Sequence, residues 1–198
     1  MLGTADGLDH LSPTQVGTDT WKTVSAGTAH TCAVRTDGTL WCWGAASYLG
    51  ILATADQPSP VQVGAATWAT VSAGRGRTCA IDTDQALYCW DNNGAAPVQV
   101  ATAISAVAVG MSDSCAVGTD HSLWCWGIND FGQLGLGDTA ARSHPTQLAG
   151  TTWTSVAMGQ SHTCALQTDG SAWCWGYNGM GDLGVRDTKD HYLPTRVA

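Results

Sequence analysis

Across residues 30–44 the chain alternates in a way that leaves neither side of a strand polar. The run H-T-C-A-V-R-T-D-G-T-L-W-C-W-G sets two apolar stretches around a polar turn. Side chains point alternately to opposite faces of a strand. With the turn centred on Asp37, one face carries Ala33, Trp41 and Trp43, and the other carries Cys32, Val34, Leu40 and Cys42. A half-solvated hairpin would show polar residues on one face, so this one must be covered on both. Thr36-Asp37-Gly38 reads as a three-residue turn with Gly38 at the left-handed position. Centring the turn between Asp37 and Gly38 would instead pair Cys32 with Trp43. The first register is preferred because it sets two cysteines opposite each other in every copy.

The pattern returns three times, most closely as H-T-C-A-L-Q-T-D-G-S-A-W-C-W-G from His162, and more loosely from Arg77 and Asp113. The leading cysteines Cys32, Cys79, Cys115 and Cys164 are spaced by 47, 36 and 49 residues. Trp21, Trp68, Ile104 and Trp153 keep these spacings, as do Gly27, Gly74, Gly110 and Gly159. Each unit closes on Pro-x-x-aliphatic at Pro60, Pro97, Pro145 or Pro194, and Pro13 precedes the first. Short strands and turns repeating every ~40–50 residues predict an all-β propeller. No window shows a helical stripe. All 16 acidic residues are Asp, which favours turns over helix interiors.

The units are expected at about 1–20 (partial), 21–67, 68–103, 104–152 and 153–198 of a single propeller or propeller segment. Residues 2–6 align with 134–138, so Met1 falls in mid-repeat. The chain therefore reads as a stretch of a longer propeller or as a small four-bladed ring. In the first case bare blade faces would favour self-association.

The elements G-x-x-x-H-T-C-A-V, L-W-C-W-G-I-N-D-F-G-Q-L-G-L-G-D (123–138) and P-T-Q-L resemble the regulator of chromosome condensation repeat, in a bacterial-type form with paired cysteines. The resemblance covers residues 2–198 and is best around Cys115 and Cys164. It departs most around Cys79, where Asp91-Asn92-Asn93-Gly94 replaces the long glycine-rich loop. It implies a propeller built from this repeat. The founding member's activity, guanine-nucleotide exchange on a small GTPase, needs a projecting wedge that no insertion here is long enough to supply. A lone Trp90-Asp91 pair and the absence of a double glycine argue against WD-repeat and kelch propellers.

All eight cysteines lie in the hairpins, ten residues apart: Cys32/Cys42, Cys79/Cys89, Cys115/Cys125 and Cys164/Cys174. Opposed residues on antiparallel strands have Cα atoms about 4.5–5.5 Å apart, within disulfide reach. Each bridge would contribute about 3 kcal/mol in the chain-entropy account. Four such pairs point to disulfides and to an oxidising compartment, extracellular or cell-envelope. The competing reading is free thiols packed as small hydrophobes. Zinc would need ligands converging on one point, and each pair sits in a different unit. No metal or cofactor is expected.

Net charge is −8, with two Lys and six Arg spread thinly, so the basic stripe of a nucleic-acid binder is missing. No stretch reads as a signal peptide or membrane-inserting segment. His30 and His162 are expected to hydrogen-bond the preceding loop, and His10, His121, His144 and His191 to be solvated. No Ser-His-Asp arrangement or phosphate loop is present. Trp41, Trp43, Trp90, Trp124, Trp126, Trp173 and Trp175 occupy the aromatic-Cys-Trp positions and are expected in the blade core. The reading that follows is a non-catalytic scaffold, without catalytic residues, that presents loops 45–59, 91–96, 128–144 and 177–193 to an unidentified protein partner. Nucleotide exchange and carbohydrate binding are the alternatives.

Overall fold

The computed structural model describes residues 2–6, 8–150 and 152–198; Met1, where the leading partial repeat starts, lies outside them. Among the described residues, sixteen strands form four four-stranded antiparallel sheets, each ordered as in the chain. The first holds β1 (Trp21–Ala26), β2 (His30–Arg35), β3 (Leu40–Gly44) and β4 (Gln57–Gln62). The second holds β5 (Trp68–Ala73), β6 (Arg77–Asp82), β7 (Leu87–Asp91) and β8 (Val98–Ala101). The third holds β9 (Ile104–Val109), β10 (Asp113–Gly118), β11 (Leu123–Gly127) and β12 (Arg142–Gln147). The fourth holds β13 (Trp153–Met158), β14 (His162–Gln167), β15 (Ala172–Gly176) and β16 (His191–Arg196). Two sheets fall in each of two compact units, 1–102 and 103–198.

Cys32 lies opposite Cys42 and Ala33 opposite Trp41. The other hairpins repeat this register, with Cys79 opposite Cys89, Cys115 opposite Cys125 and Cys164 opposite Cys174. All four expected pairs, Cys32–Cys42, Cys79–Cys89, Cys115–Cys125 and Cys164–Cys174, are bridged, with Cα atoms 4.1 Å apart.

In the first strand of each sheet the register slips just after the residue at the Trp position, between Trp21 and Thr23, Trp68 and Thr70, Ile104 and Ala106, and Trp153 and Ser155. One extra residue reverses the alternation, so residues three apart share a face. Trp68 pairs with Asp82 and Val71 with Ala80, which puts Trp68 and Val71 on one side. The W-x-x-V spacing, wrong for a plain strand, is thus a bulge signature.

Both faces of the hairpin are used. In residues 1–102, Cys32, Val34, Leu40 and Cys42 of the first sheet pack against Trp68, Val71, Ala80 and Trp90 of the second. In residues 103–198, Cys115, Val117, Leu123 and Cys125 pack against Trp153, Ala165 and Trp175. The disulfide face of one blade therefore meets the Trp-Ala face of the next. Cys89 and Cys174 depart from this arrangement. Both are buried, but they belong to the second sheet of their unit, and neither joins the cluster that packs its unit's two sheets together. In the fourth sheet Leu166, on the same face as Cys174, is exposed.

Trp90 Nε1 donates to Tyr48 O at 2.8 Å, and Trp175 Nε1 donates to Gln133 O at 2.9 Å. The Leu-Gly loops make room for these rings. A Cβ on Gly135 would stand 2.7 Å from Trp175 Nε1, and one on Gly3 would stand 2.8 Å from Trp43 Nε1.

The left-handed turn position holds Gly38 and Gly170, but also Gln85 (φ 66°) and His121 (φ 67°). His121 has a compensating contact, since its Nδ1 lies 3.0 Å from Trp153 O. Gln85→Gly is expected to stabilise the chain by about 1 kcal/mol, less the extra freedom of the unfolded glycine. Equilibrium denaturation without reductant checks this; an unchanged or lower midpoint would contradict it.

Candidate functional site

The third and fourth sheets each carry a long loop between their last two strands, 128–141 and 177–190. A buried asparagine organises each. Asn129 Nδ2 donates to Asp138 O at 2.9 Å and to Ala140 O at 3.1 Å, while its Oδ1 accepts the Leu134 N–H at 2.9 Å. Asn178 Nδ2 donates to Asp187 O at 2.9 Å, and its Oδ1 accepts the Leu183 N–H at 3.0 Å. Asp138 and Asp187 also receive the N–H groups of Ala140 and Lys189. Hydrogen bonds from Arg142 hold the Asp138 carboxyl below the usual range, and the Lys189 N–H followed by His191 does the same for Asp187. Leu134 and Leu183 are drawn inward and fully buried.

With the loop interiors occupied by Asn and Leu, the remaining apolar residues face out. Phe131 is 37% exposed, Tyr192 44%, Leu193 60% and Met180 84%. Phe131 meets Tyr177 edge-on with centroids 5.3 Å apart. Gly132 lies directly under Tyr192, where an added Cβ would come within 2.4 Å of its ring. Gly137 N–H donates to Tyr192 O at 2.8 Å, tying the first loop to β16. Among the described residues of 1–102 there is no exposed cluster of aromatic rings; the exposed apolar side chains there are aliphatic, Leu2, Leu8 and Leu11 among them. There Tyr48 turns inward to stack on His30 at 5.0 Å, and the short second loop is pinned by Gly94 N–H donating to Ser47 O at 2.9 Å.

Two arrangements resemble a hydroxyl-His-Asp relay. His10 lies 2.9 Å from Asp6 through Nε2 and 3.1 Å from the Thr14 hydroxyl through Nδ1. His191 stands likewise between Asp187 and Thr195, at 3.1 Å and 2.9 Å. In both, the threonine hydroxyl donates to a backbone carbonyl, Ser12 O or Leu193 O. Its proton is therefore committed away from the imidazole, which leaves the oxygen as an acceptor. The third sheet puts Arg142 at the histidine position, paired with Asp138 at 2.7 Å. Common to all three is a side-chain nitrogen paired with the aspartate that caps the loop. His10 and His191 are thus paired and half-buried, not solvated.

His30 also departs from expectation. Its Nε2 hydrogen-bonds the Thr78 hydroxyl of the next sheet at 2.6 Å, and its ring rests on Gly27. Burial lowers its pKa to about 4. His162 lies on Gly159 in the same way.

The aromatic-Cys-Trp positions split into two classes. Trp43, Trp90, Trp126 and Trp175 are buried at 5% exposure or less. Trp41, Trp124 and Trp173 are only half-buried. Their Nε1 groups donate to Thr39, Ser122 and Ser171, whose hydroxyls donate to the turn residues Asp37, Asp120 and Asp169. The second hairpin has Ala86 and Tyr88 at these places and lacks the relay. These hydroxyl bonds are the main reason the three turn carboxyls sit below their usual range. In the first sheet Trp41 also carries the Arg35 guanidinium 3.7 Å above its ring. No group of His, Cys or Asp among the described residues could hold a metal ion.

The regulator of chromosome condensation (RCC1) repeat matches residues 120–166 and 169–198, and a second form of the same repeat matches 21–48 and 153–182. Together they account for more than half of the sequence. The chain belongs to the regulator of chromosome condensation repeat family. Its β-propeller fold is shared with human WBSCR16, at a TM-score of 0.84 and 20% identity over 93% of this chain and 55% of that one. Yeast RCC1 (Prp20), solved bound to Kap60, superposes with a TM-score of 0.79 at 19% identity, over 88% of this chain and 49% of that one. The CRINKLY WD40 ectodomain of the Arabidopsis thaliana receptor kinase ACR4 follows at 0.55 and 20% identity, over 92% and 54%. The chain spans about half the length of these structures. No curated protein matches it.

Two outcomes follow for these family elements. Asn129→Ala strands the Leu134 N–H and two carbonyls, and is expected to cost about 2–3 kcal/mol and to speed amide exchange across 130–140; unchanged exchange would show that the loop does not depend on it. His30, neutral in the fold, binds its proton near pH 4, whereas the unfolded imidazole does so near 6.5. The unfolded chain holds more protons between those values, so stability falls as pH drops through that window, by up to about 1.4 kcal/mol per pH unit. The turn aspartates, with lowered pKa, lose their contribution only below that window. Denaturation at pH 7 and pH 5 should show a smaller loss in His30→Gln than in the unaltered chain.

Proposed function

We propose that this chain is a non-catalytic, protein-binding propeller segment of an oxidising compartment, extracellular or envelope-associated, that presents loops 128–144 and 177–193 to a protein partner. The observation that carries the reading is the pair of asparagine-wired loops with apolar rings turned outward. A loop already ordered before binding avoids the entropy of ordering it in the complex. The four disulfides support the compartment. Related propellers bind proteins, since yeast Prp20 was solved with Kap60 and studied for binding to Gsp1p and histones. A related receptor-kinase segment is an ectodomain. In this reading the repeats divide near residues 21, 68, 104 and 153, after a partial leading unit over 1–20. Nucleotide exchange would need a projecting wedge, and loop 128–141 folds back on Asn129 instead.

The test uses the full chain with a photoreactive phenylalanine analogue at position 131 or 180, and at position 37 as a control turn. In native extracellular and envelope fractions, positions 131 and 180 are expected to crosslink to one protein that position 37 does not capture. Absence of a position-specific adduct, or eight alkylated cysteines in native protein, would overturn the reading.

A further inference from the structure

The Phe131, Tyr177 and Tyr192 rings, with Met180 and Leu193, are not needed by the repeat. The long loops 128–141 and 177–190 are held by the buried Asn and Leu, the glycines and, for the first, the Trp175 clasp, and the described residues of 1–102 build the same sheets without an exposed aromatic cluster. Apolar rings held at a surface by a rigid floor mark an interaction site. Large two-torsion rings of this kind lose little entropy on contact and serve as anchors. Gly132, under Tyr192, has φ of +74°, and Gly179 lies so close that a Cβ would stand 2.3 Å from the Tyr177 hydroxyl. The aromatic rings thus lie directly on backbone, which leaves little room for them to collapse.

The charge around the patch narrows the partner. The two loops carry Asp130, Asp138, Asp182, Asp187 and Asp190 against Arg142, Arg186 and Lys189. Asp138 is neutralised by Arg142, Asp187 is paired with His191, and Asp190 accepts the Asn178 N–H at 2.8 Å. Asp130, next to Phe131, and Asp182 are exposed and make no ion pair among the described residues; the exposed Arg186 and Lys189 make none either, and five Asp against three cations leave the two loops at a net −2. The whole chain carries a charge of −8. Such a surface disfavours an acidic partner and speeds encounter with a basic one.

We infer that the Phe131–Tyr177–Tyr192 patch takes a bulky apolar side chain presented on a Lys/Arg-bearing segment of a partner protein, with Asp130 and Asp182 meeting the flanking cations. This inference rests on the protein-binding reading above and assigns the partner's chemistry.

The probe is a displayed library of short random peptides, selected on the oxidised full chain at low salt. Enriched peptides are expected to carry Leu, Ile, Phe or Trp within a few positions of Lys or Arg. A synthetic representative should bind about tenfold more weakly to Phe131→Ser/Tyr192→Ser. Added salt and Asp130→Asn/Asp182→Asn should each weaken it further, through the charge alone. Intact mass and circular dichroism establish that both variants remain folded. Enrichment of neutral or acidic peptides, or equal binding by the Phe131→Ser/Tyr192→Ser chain, overturns the inference. So does a patch-dependent dimer of this chain in light scattering, or patch-dependent glycan binding with no peptide enriched. If position 131 crosslinks a native protein while the peptide selection favours acidic sequences, the protein-binding reading stands and only the basic partner is refuted.

Discussion

Every hairpin in this chain is apolar on both faces and so asks to be covered twice, and the rest of the structure follows from that demand. The disulfide side presents Cys, Val and Leu, and the other side presents Trp and Ala, so one blade's two faces differ in shape and complement each other across a boundary. Stacking unlike faces gives the repeat a direction. It also explains why the indole N–H recurs as a clasp. Trp90 and Trp175 place this donor on a carbonyl of the preceding sheet's loop, whereas Trp68 and Trp153 are buried with their Nε1 groups unpartnered among the described residues.

Much of this is written plainly in the residues. Cysteines ten apart around a three-residue turn dictate the pairing, down to Cys79 with Cys89 and Cys164 with Cys174 in the looser and later copies. Apolar residues on both faces of 30–44 announce that blades pack on both sides. Other features escape for identifiable reasons. The bulge is hidden because W-x-x-V has the spacing of a helical stripe and the wrong one for a strand; only the one-residue slip reconciles it. Trp41, Trp124 and Trp173 group with the core because a pattern of apolar letters does not distinguish an indole whose N–H is committed to a turn hydroxyl. The distinction is nonetheless present: Thr39, Ser122 and Ser171 precede those tryptophans by two, and Ala86 precedes Tyr88. His10 and His191 look like loop histidines because their aspartates lie four residues back across a turn, a proximity that pairing with the loop cap creates.

The candidate site is legible only in outline. The loops stand out as places for variation, but Asn129 and Asn178 do not, although W-G-x-N recurs in both copies and in neither of the first two. A buried amide that bonds several backbone groups converts a long connection into a fixed object, and side chains on a fixed object can be aimed. Selection on the blade and selection on the surface can then act on different residues. The asparagine, leucine and glycines answer to the fold, while positions such as 131, 180 and 192 are left free to answer to something outside it.

Because every cystine joins residues ten apart within one hairpin, no disulfide ties one blade to another. Each pair can close as soon as its own hairpin emerges during synthesis, before a competing thiol from the next repeat is available. A duplication or deletion of a whole repeat leaves no orphan cysteine behind. Cross-linking confined to the cassette is therefore compatible with a lineage that changes its number of blades, in a way that bridges between blades would forbid.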